Sequence, residues 1–175
     1  IRHVAAKGTL VGGTTIEADG ERIEAGAVLV ATGARAQTLG LDVDGRRILL
    51  SEHALRLDEL PGRAVVLGGG VIGVEFASMW ADLGVEVTLV EAAERLLPNE
   101  EPALTRVLTR ALDARGVDVR VNAALTEAVA TDDGVRVVVD GDELTADVLL
   151  VAVGRRPNTV GLGLEAAGVA LEGSS

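Results

Sequence analysis

The chain has 175 residues, 48% of them hydrophobic, and its 16 lysines and arginines against 27 aspartates and glutamates give a formal charge of −11. That length suffices for one full domain and part of a second, the charge argues against nucleic acid or an anionic membrane as partner, and no apolar run approaches the roughly 18–20 residues of a membrane span, so a soluble globular protein is expected. Cysteine is absent, which excludes a disulfide framework, a thiolate metal site or a cysteine nucleophile within these residues, and the two histidines, His3 and His53, sit in no ligand cluster, so no metal site is expected.

The first residue is Ile1 rather than Met, and the chain reads as an excised piece. Residues 14–38, TTIEADGERIEAGAVLVATGARAQT, reappear in outline at residues 135–159 as VRVVVDGDELTADVLLVAVGRRPNT. Asp19-Gly20 matches Asp140-Gly141, the run Val28–Ala31 matches Leu149–Ala152, and Gly33 matches Gly154. Each copy predicts a hairpin with an Asp-Gly turn, followed by a buried strand that ends in glycine. Between the copies, Ala34–Leu60 is a polar, leucine-dotted connector ending at Pro61-Gly62. Its Ser51-Glu52-His53 has no third group to orient the histidine and no oxyanion turn nearby, so it reads as connector rather than as a nucleophile.

Arg63–Glu91, RAVVLGGGVIGVEFASMWADLGVEVTLVE, is the centre of the chain. The apolar run Ala64–Leu67 leads into Gly68-Gly69-Gly70-Val71-Ile72-Gly73. Ile72, Phe76, Met79, Trp80 and Leu83 then repeat at helical spacing, Gly84 stops the helix, and Val85–Val90 forms a second strand that ends in a carboxylate, Glu91. A strand, glycine turn, helix and strand with a terminal acid suit a dinucleotide. Gly68 allows the tight turn, Gly70 lets the backbone approach a pyrophosphate at the positive end of the helix, and Gly73 lets helix and strand pack closely. Glu91 would accept hydrogen bonds from the adenosine ribose hydroxyls.

After a loop at Ala92–Asn99, Glu100-Glu101-Pro102 opens a helix whose expected buried stripe is Leu104, Val107, Leu108, Ala111 and Leu112, with Gly116 as its stop. Val117, Val119 and Val121 alternate as a third strand. Ala124–Ala130 and Val135–Val139 read as antiparallel strands, and Val148–Val153 returns as an apolar strand suited to the interior of a parallel sheet. The fold class is therefore α/β: a Rossmann-like unit at residues 61–155, with parallel sheet, helices and a β-meander, a β-rich segment at 1–35, a connector at 36–60 and a return segment at 156–175. Because the second copy of the repeat follows a complete glycine-turn unit and the first does not, the repeat predicts a partner domain lying outside these residues.

Together, VVLGGGVIGVEFASMW, VTLVEAAERLLPNEE, VLVATGA and LLVAVGRRPNT resemble the pyridine-nucleotide-disulfide oxidoreductases, and within them the dihydrolipoamide dehydrogenases, from about Gly8 to the end of the chain. In that family a flavin domain is interrupted by the nicotinamide-coenzyme domain, so the resemblance implies that residues 1–35 are the back end of an FAD domain and that the glycine-turn unit binds NAD. It implies an NAD-binding set of Gly68, Gly70, Val71, Ile72, Gly73, Glu75, Glu91, Gly154 and Arg155, with Thr32 and Gly33 on the FAD side. Glu75 matches an acid that faces the nicotinamide and pairs with a lysine beside the flavin. Val71 stands at the gate where NADPH reductases often carry tyrosine, and Gly73 where they often carry alanine. Asn158 belongs to the GRRPN counterpart of the ATG motif.

The resemblance further implies a dithiol substrate, a homodimer when intact and a cytoplasmic enzyme. It also sets out what these residues lack: the amino-terminal flavin-phosphate glycine motif, the redox cysteine pair, the late flavin-binding Asp motif, and the His-Glu base with its dimerisation domain. No catalytic residue is therefore expected here, and the chain alone should be inactive. NADH oxidases, mercuric reductases and coenzyme A disulfide reductases share the motifs and are alternatives. From another class, a glycine turn followed by an acid also suits S-adenosylmethionine in a methyltransferase-like domain, although the third glycine, the paired meanders and the GRRPN segment stand against it. A binding module with no chemistry of its own is the third reading.

Overall fold

Both Asp-Gly pairs turn the chain as their composition demands. In the computed structural model, which describes residues 1–172, φ is 52° and 77° at Asp19 and Gly20, and 50° and 90° at Asp140 and Gly141, left-handed values that suit a type I′ hairpin turn. The chain divides into two units, Ile1–Arg35 with Arg155–Ser175, and Ala36–Gly154.

In the first unit, β1 (Gly8–Gly12), β2 (Thr15–Ala18) and β3 (Glu21–Glu24) form an antiparallel sheet in sequence order, with Leu10 opposite Ile16 and Ala18 opposite Glu21. Leu10, Ala18 and Leu164 are buried, and the Leu10 N–H donates to the Leu162 carbonyl at 2.8 Å. The strand expected at Val28–Ala31 does not form. These residues belong to no strand, and Leu29 is 90% exposed. An apolar strand of this kind belongs in the interior of a sheet, and among the described residues no strand pairs with it. The short β4 (Ala34–Ala36) follows.

In the second unit, β5 (Ile48–Leu49) and the one-turn α1 (Ser51–Ala54) arise within the residues read as a connector. Then come β6 (Arg63–Leu67), α2 (Val71–Asp82), β7 (Glu86–Val90), α3 (Pro102–Asp113) and β8 (Asp118–Arg120). A meander of β9 (Leu125–Ala130), β10 (Val135–Val139) and β11 (Asp142–Ala146) leads into β12 (Val148–Val151). Five strands form a parallel sheet in the order β5-β12-β6-β7-β8. Later in the chain, β13 (Arg155–Pro157) pairs with β4.

The apolar runs of this sheet are continuous because both faces are covered. Ala64 and Val66 of β6, Val87 and Leu89 of β7, and Val148 and Leu150 of β12 pack with Phe76, Ala77 and Trp80 of α2 and Leu112 of α3. The alternate residues Val65, Leu67, Val90, Leu149 and Val151 pack with Val135, Val137, Val139 and Ala146 of the meander. Each fully buried aliphatic side chain stabilises the fold by about 1.5–3 kcal/mol relative to exposure. Leu149–Val151, wholly buried in β12 between β5 and β6, are the counterparts of the unpaired Val28–Val30.

The helices form as expected, each with part of its expected apolar stripe turned outward. On α2 the buried residues are Gly73, Val74, Phe76, Ala77 and Trp80, whereas Met79 is 40% and Leu83 55% exposed. The small residues Gly73 and Ala77 set the line of closest approach, Phe76 and Trp80 bury their rings beside it, and Met79 and Leu83 turn outward. Phe76 and Trp80 meet edge to face with ring centroids 5.3 Å apart. On α3, Leu104 and Val107 are exposed, while Thr105 and Leu112 are buried and Leu108 packs against the core. Thr105 tolerates burial because its hydroxyl donates to the Pro102 carbonyl at 3.2 Å. Arg115 joins the ends of the two helices: it donates to the Ser78 hydroxyl at 2.8 Å and carbonyl at 2.9 Å, and pairs with Asp82.

Two aspartates fix the loops that feed the sheet. Asp147 Oδ2 accepts the N–H groups of Gly62 and Arg63 at 2.7 and 2.8 Å. Asp44 Oδ1 accepts those of Arg46, Arg47 and Ile48 at 2.9, 2.8 and 2.8 Å, setting up β5. Partial burial opposes ionisation of Asp44, but these backbone donors outweigh it and hold the carboxyl below its usual range. Because the folded value is the lower one, the Asp44 charge stabilises the fold above the unfolded value near about 4 and loses that effect as pH falls through the folded value. Asp44→Asn keeps an acceptor oxygen without the charge. Melting temperatures measured from neutral pH down to about pH 3 should show the parent ahead of the variant at neutral pH, the gap closing at the acid end.

Candidate functional site

A cleft of about 640 Å³ opens where β6, β7 and β12 end, in the second unit. Its floor is the glycine turn. Gly68 has φ of 106°, and a Cβ there would lie 2.4 Å from the Ala152 carbonyl oxygen, so only glycine lets β6 and β12 run this close to their ends. A Cβ on Gly73 would lie 1.8 Å from the Gly68 carbonyl oxygen, which is how the first turn of α2 is seated on the strand it follows. Gly70 is the opposite case. Its φ is −75° and no atom lies within 4 Å of a Cβ built on it, so its neighbourhood is open space on the cleft side.

Gly70 is also the N-cap of α2, where no side chain caps the helix and no acid occupies the first turn. The free N–H groups and positive helix end therefore face the cleft, whose lining includes Gly70, Val71 and Ile72. That arrangement fits an anionic group such as a pyrophosphate.

Glu91 lines the same cleft from the end of β7, and its carboxylate is already engaged. Oε2 accepts the Gly69 N–H at 2.6 Å and Oε1 accepts the Ala93 N–H at 2.7 Å. Each oxygen keeps a second acceptor position. Glu91 is thus a latch between the glycine turn and the loop after β7 as well as a candidate hydroxyl acceptor. The loop completes the latch. Leu97, at φ 46°, donates its N–H to the Gly69 carbonyl at 2.9 Å, and the fully buried Leu96 lies against Gly69, where a Cβ would come within 2.5 Å of its side chain. Sequence reasoning missed Leu96 and Leu97, and it missed Ala123–Leu125, which line the facing wall. The pair of leucines in the loop after β7 was the available signal.

Of the other expected residues, Gly154 lines the cleft at φ 109°, and its carbonyl accepts the Gln37 N–H at 2.9 Å. Glu75 is exposed on α2 and does not line the cleft. Arg155 belongs to the first unit, where its guanidinium donates to the Ala34 carbonyl. Thr32 and Gly33 lie there too, tied to Asn158: the Thr32 hydroxyl donates to the Asn158 carbonyl at 2.7 Å, the Asn158 amide donates to the Thr32 carbonyl at 3.0 Å, and the Asn158 N–H donates to the Gly33 carbonyl at 3.0 Å. His53 has a structural role, its Nδ1 accepting the Leu50 N–H at 3.1 Å at the start of α1. Among the described residues no cluster of three or more His, Cys, Asp or Glu side chains is arranged to hold a metal.

Comparison with known proteins adds three findings. A model of the pyridine nucleotide-disulphide oxidoreductase family matches residues 1–175. Dihydrolipoyl dehydrogenase of Bacillus subtilis is 40% identical over 145 residues, and dihydrolipoyl dehydrogenase 3 of Pseudomonas aeruginosa 41% over 156, covering 79% and 85% of this chain but 31% and 33% of theirs. The chain thus spans about a third of the length of the curated relatives it matches. Among solved structures, LpdA of Mycobacterium tuberculosis superposes with a TM-score of 0.84 at 37% identity, over 97% of this chain and 40% of that one. The HOCl-induced flavoprotein disulfide reductase RclA of Escherichia coli gives 0.81 at 33%, over 96% and 39%.

The contrast between Gly73 and Gly70 yields a paired test. Gly73→Ala must push α2 off the strand and should cost about 1–3 kcal/mol or more. Gly70→Ala meets nothing and sits at an ordinary φ, so the cost should stay within about 1 kcal/mol. Urea denaturation of the two variants beside the parent measures both, and equal losses would contradict the geometry.

Proposed function

The chain belongs to the pyridine nucleotide-disulphide oxidoreductase family, and from that premise we propose that its glycine-turn unit, about residues 61–155, binds NAD(H) as the coenzyme domain of a flavoprotein disulfide oxidoreductase of the dihydrolipoamide dehydrogenase type. The observation that carries this reading is the cleft itself: an uncapped helix N-terminus with open space at Gly70, and the Glu91 carboxylate lining the same cleft. Family membership removes the methyltransferase reading.

NAD⁺ held there supplies a two-electron hydride acceptor. What these residues contribute is binding and alignment. Gly70, Val71 and Ile72 would receive the pyrophosphate on backbone N–H groups, and Glu91 would accept the adenosine ribose hydroxyls on its remaining lone pairs. Val71, 60% exposed at the start of α2, and Gly154 line the cleft and would bound the nicotinamide side. Residues 1–35, with Thr32 and Gly33, would be part of an FAD domain, and Glu75 and Arg155 would act toward the flavin-facing end of the coenzyme in the intact protein. There the reaction would pass electrons from a dithiol through a disulfide and FAD to NAD⁺, in a homodimer.

NAD is preferred over NADP on electrostatic grounds. A 2′-phosphate would meet the Glu91 carboxylate in a chain of charge −11. Arg95, four residues on, is committed elsewhere: it donates to Glu94 at 2.8 Å and to the Pro98 carbonyl at 2.7 Å.

Calorimetric titration tests the reading. The parent should bind NADH at least about tenfold more tightly than NADPH. Glu91→Ala, which loses charge-assisted bonds of about 1.5–3 kcal/mol each, should lower NADH affinity by about tenfold or more. Glu91→Gln should fall between them. Equal affinities for NADH and NADPH in the parent would leave Glu91 as a loop latch alone and defeat the coenzyme assignment. The 175-residue chain should show no NAD⁺-dependent oxidation of dihydrolipoamide, because it holds no thiol, and should purify without a flavin spectrum, because it would hold only part of an FAD site. Turnover above background in a coupled assay would contradict this.

A further inference from the structure

A second depression in the Ala36–Gly154 unit, of about 390 Å³, lies between α3 and the loop after β7 and shares no lining residue with the cleft. Its lining is cationic although the chain as a whole carries −11: Arg95 comes from the loop, and Arg106 and Arg110 come from α3. Arg106 and Arg110 stand four residues apart on one helix face, where like charges oppose each other. Neither guanidinium makes an ion pair or hydrogen bond among the described residues. Arg95 is held in place through its two terminal nitrogens, by Glu94 and by the Pro98 carbonyl, while its buried Nε has no partner. Thr105 and Thr109 also line the depression, but both hydroxyls already donate to carbonyls, at 3.2 and 2.9 Å. The available donors are therefore guanidinium groups. Glu94, with its side chain 75% exposed at the rim, offsets one of the three positive charges and leaves an excess of two.

We propose that this depression binds a small oxyanion carrying two or more negative charges, through Arg106 and Arg110 of α3 with Arg95 as the fixed third cation. Guanidinium forks match the oxygen spacing of phosphoryl and carboxylate groups, and one bridging anion would relieve the repulsion along α3. The volume exceeds that of a lone phosphate and suits a pyrophosphate or a polycarboxylate. The site is independent of the dinucleotide reading, since the two share no residue.

The test is isothermal titration of the full chain with pyrophosphate and with citrate at constant ionic strength, with sodium chloride as control, for the parent and for R106Q/R110Q. Both arginines are exposed, so the variant should keep the parent's melting temperature without anion and its affinity for NADH. We expect saturable binding of one anion per chain, weakened at least about tenfold in the variant. Binding of pyrophosphate alone assigns a phosphoryl ligand, and binding of citrate alone a polycarboxylate. The absence of saturable binding by either anion would overturn the proposal. So would binding that the variant leaves unchanged and NADH displaces, since that anion would be in the cleft. Loss of NADH binding with anion binding intact would count against the dinucleotide reading only.

Discussion

The first turn of α2 stands so close to the end of β6 that the space between Gly73 and the Gly68 carbonyl admits no methyl group. Much of the second unit depends on that approach. It fixes the direction of α2, directs the uncapped N-terminus of the helix into the cleft, and puts Ala77 and Trp80 against the sheet while Met79 and Leu83 turn to solvent. A helix seated one side chain further away would present its dipole from a distance at which backbone donors no longer reach a ligand.

Glu91 extends the same economy of contacts. A carboxylate at the end of the second strand is usually discussed for what it does to a ribose, yet here its two oxygens first close the loop after β7 onto the glycine turn. Recognition and loop order are then coupled in one side chain. Truncation at this position changes both, and even glutamine, whose amide nitrogen would face one of the two backbone N–H groups, keeps only one of the two latch bonds. Leu97, at a left-handed φ that leucine rarely adopts, belongs to this closure, since its N–H reaches the Gly69 carbonyl from that conformation.

The sequence made the parallel sheet, the glycine turn and the two Asp-Gly hairpins readable because each rests on local rules: continuous apolar runs, glycine spacing and turn chemistry. Helix faces were only partly readable: spacing found Phe76 and Trp80 of α2 and Leu108 and Leu112 of α3, but α2 also packs through Gly73 and Ala77 and α3 buries a threonine whose hydroxyl is satisfied within its own turn, and hydrophobicity alone ranks none of these three. Val28–Ala31 carries a strand's composition without a strand's neighbours, so propensity had nothing to pair with among the described residues. In the site, Gly68, Gly70, Gly73 and Glu91 followed from spacing; Leu96 depends on how the loop after β7 folds back onto Gly69, and the Ala123–Leu125 wall is brought in by the chain's return from a distant position.

The chain holds one tryptophan, one phenylalanine and no tyrosine, and both rings belong to α2, edge to face beneath the sheet. Its intrinsic ultraviolet emission therefore originates wholly within the Ala36–Gly154 unit. An unfolding curve followed by that emission reports the environment of α2 and is blind to the β1–β3 sheet, which contains no chromophore of its own. A single smooth transition seen this way would describe one unit, and the state of the other has to be read from backbone signals.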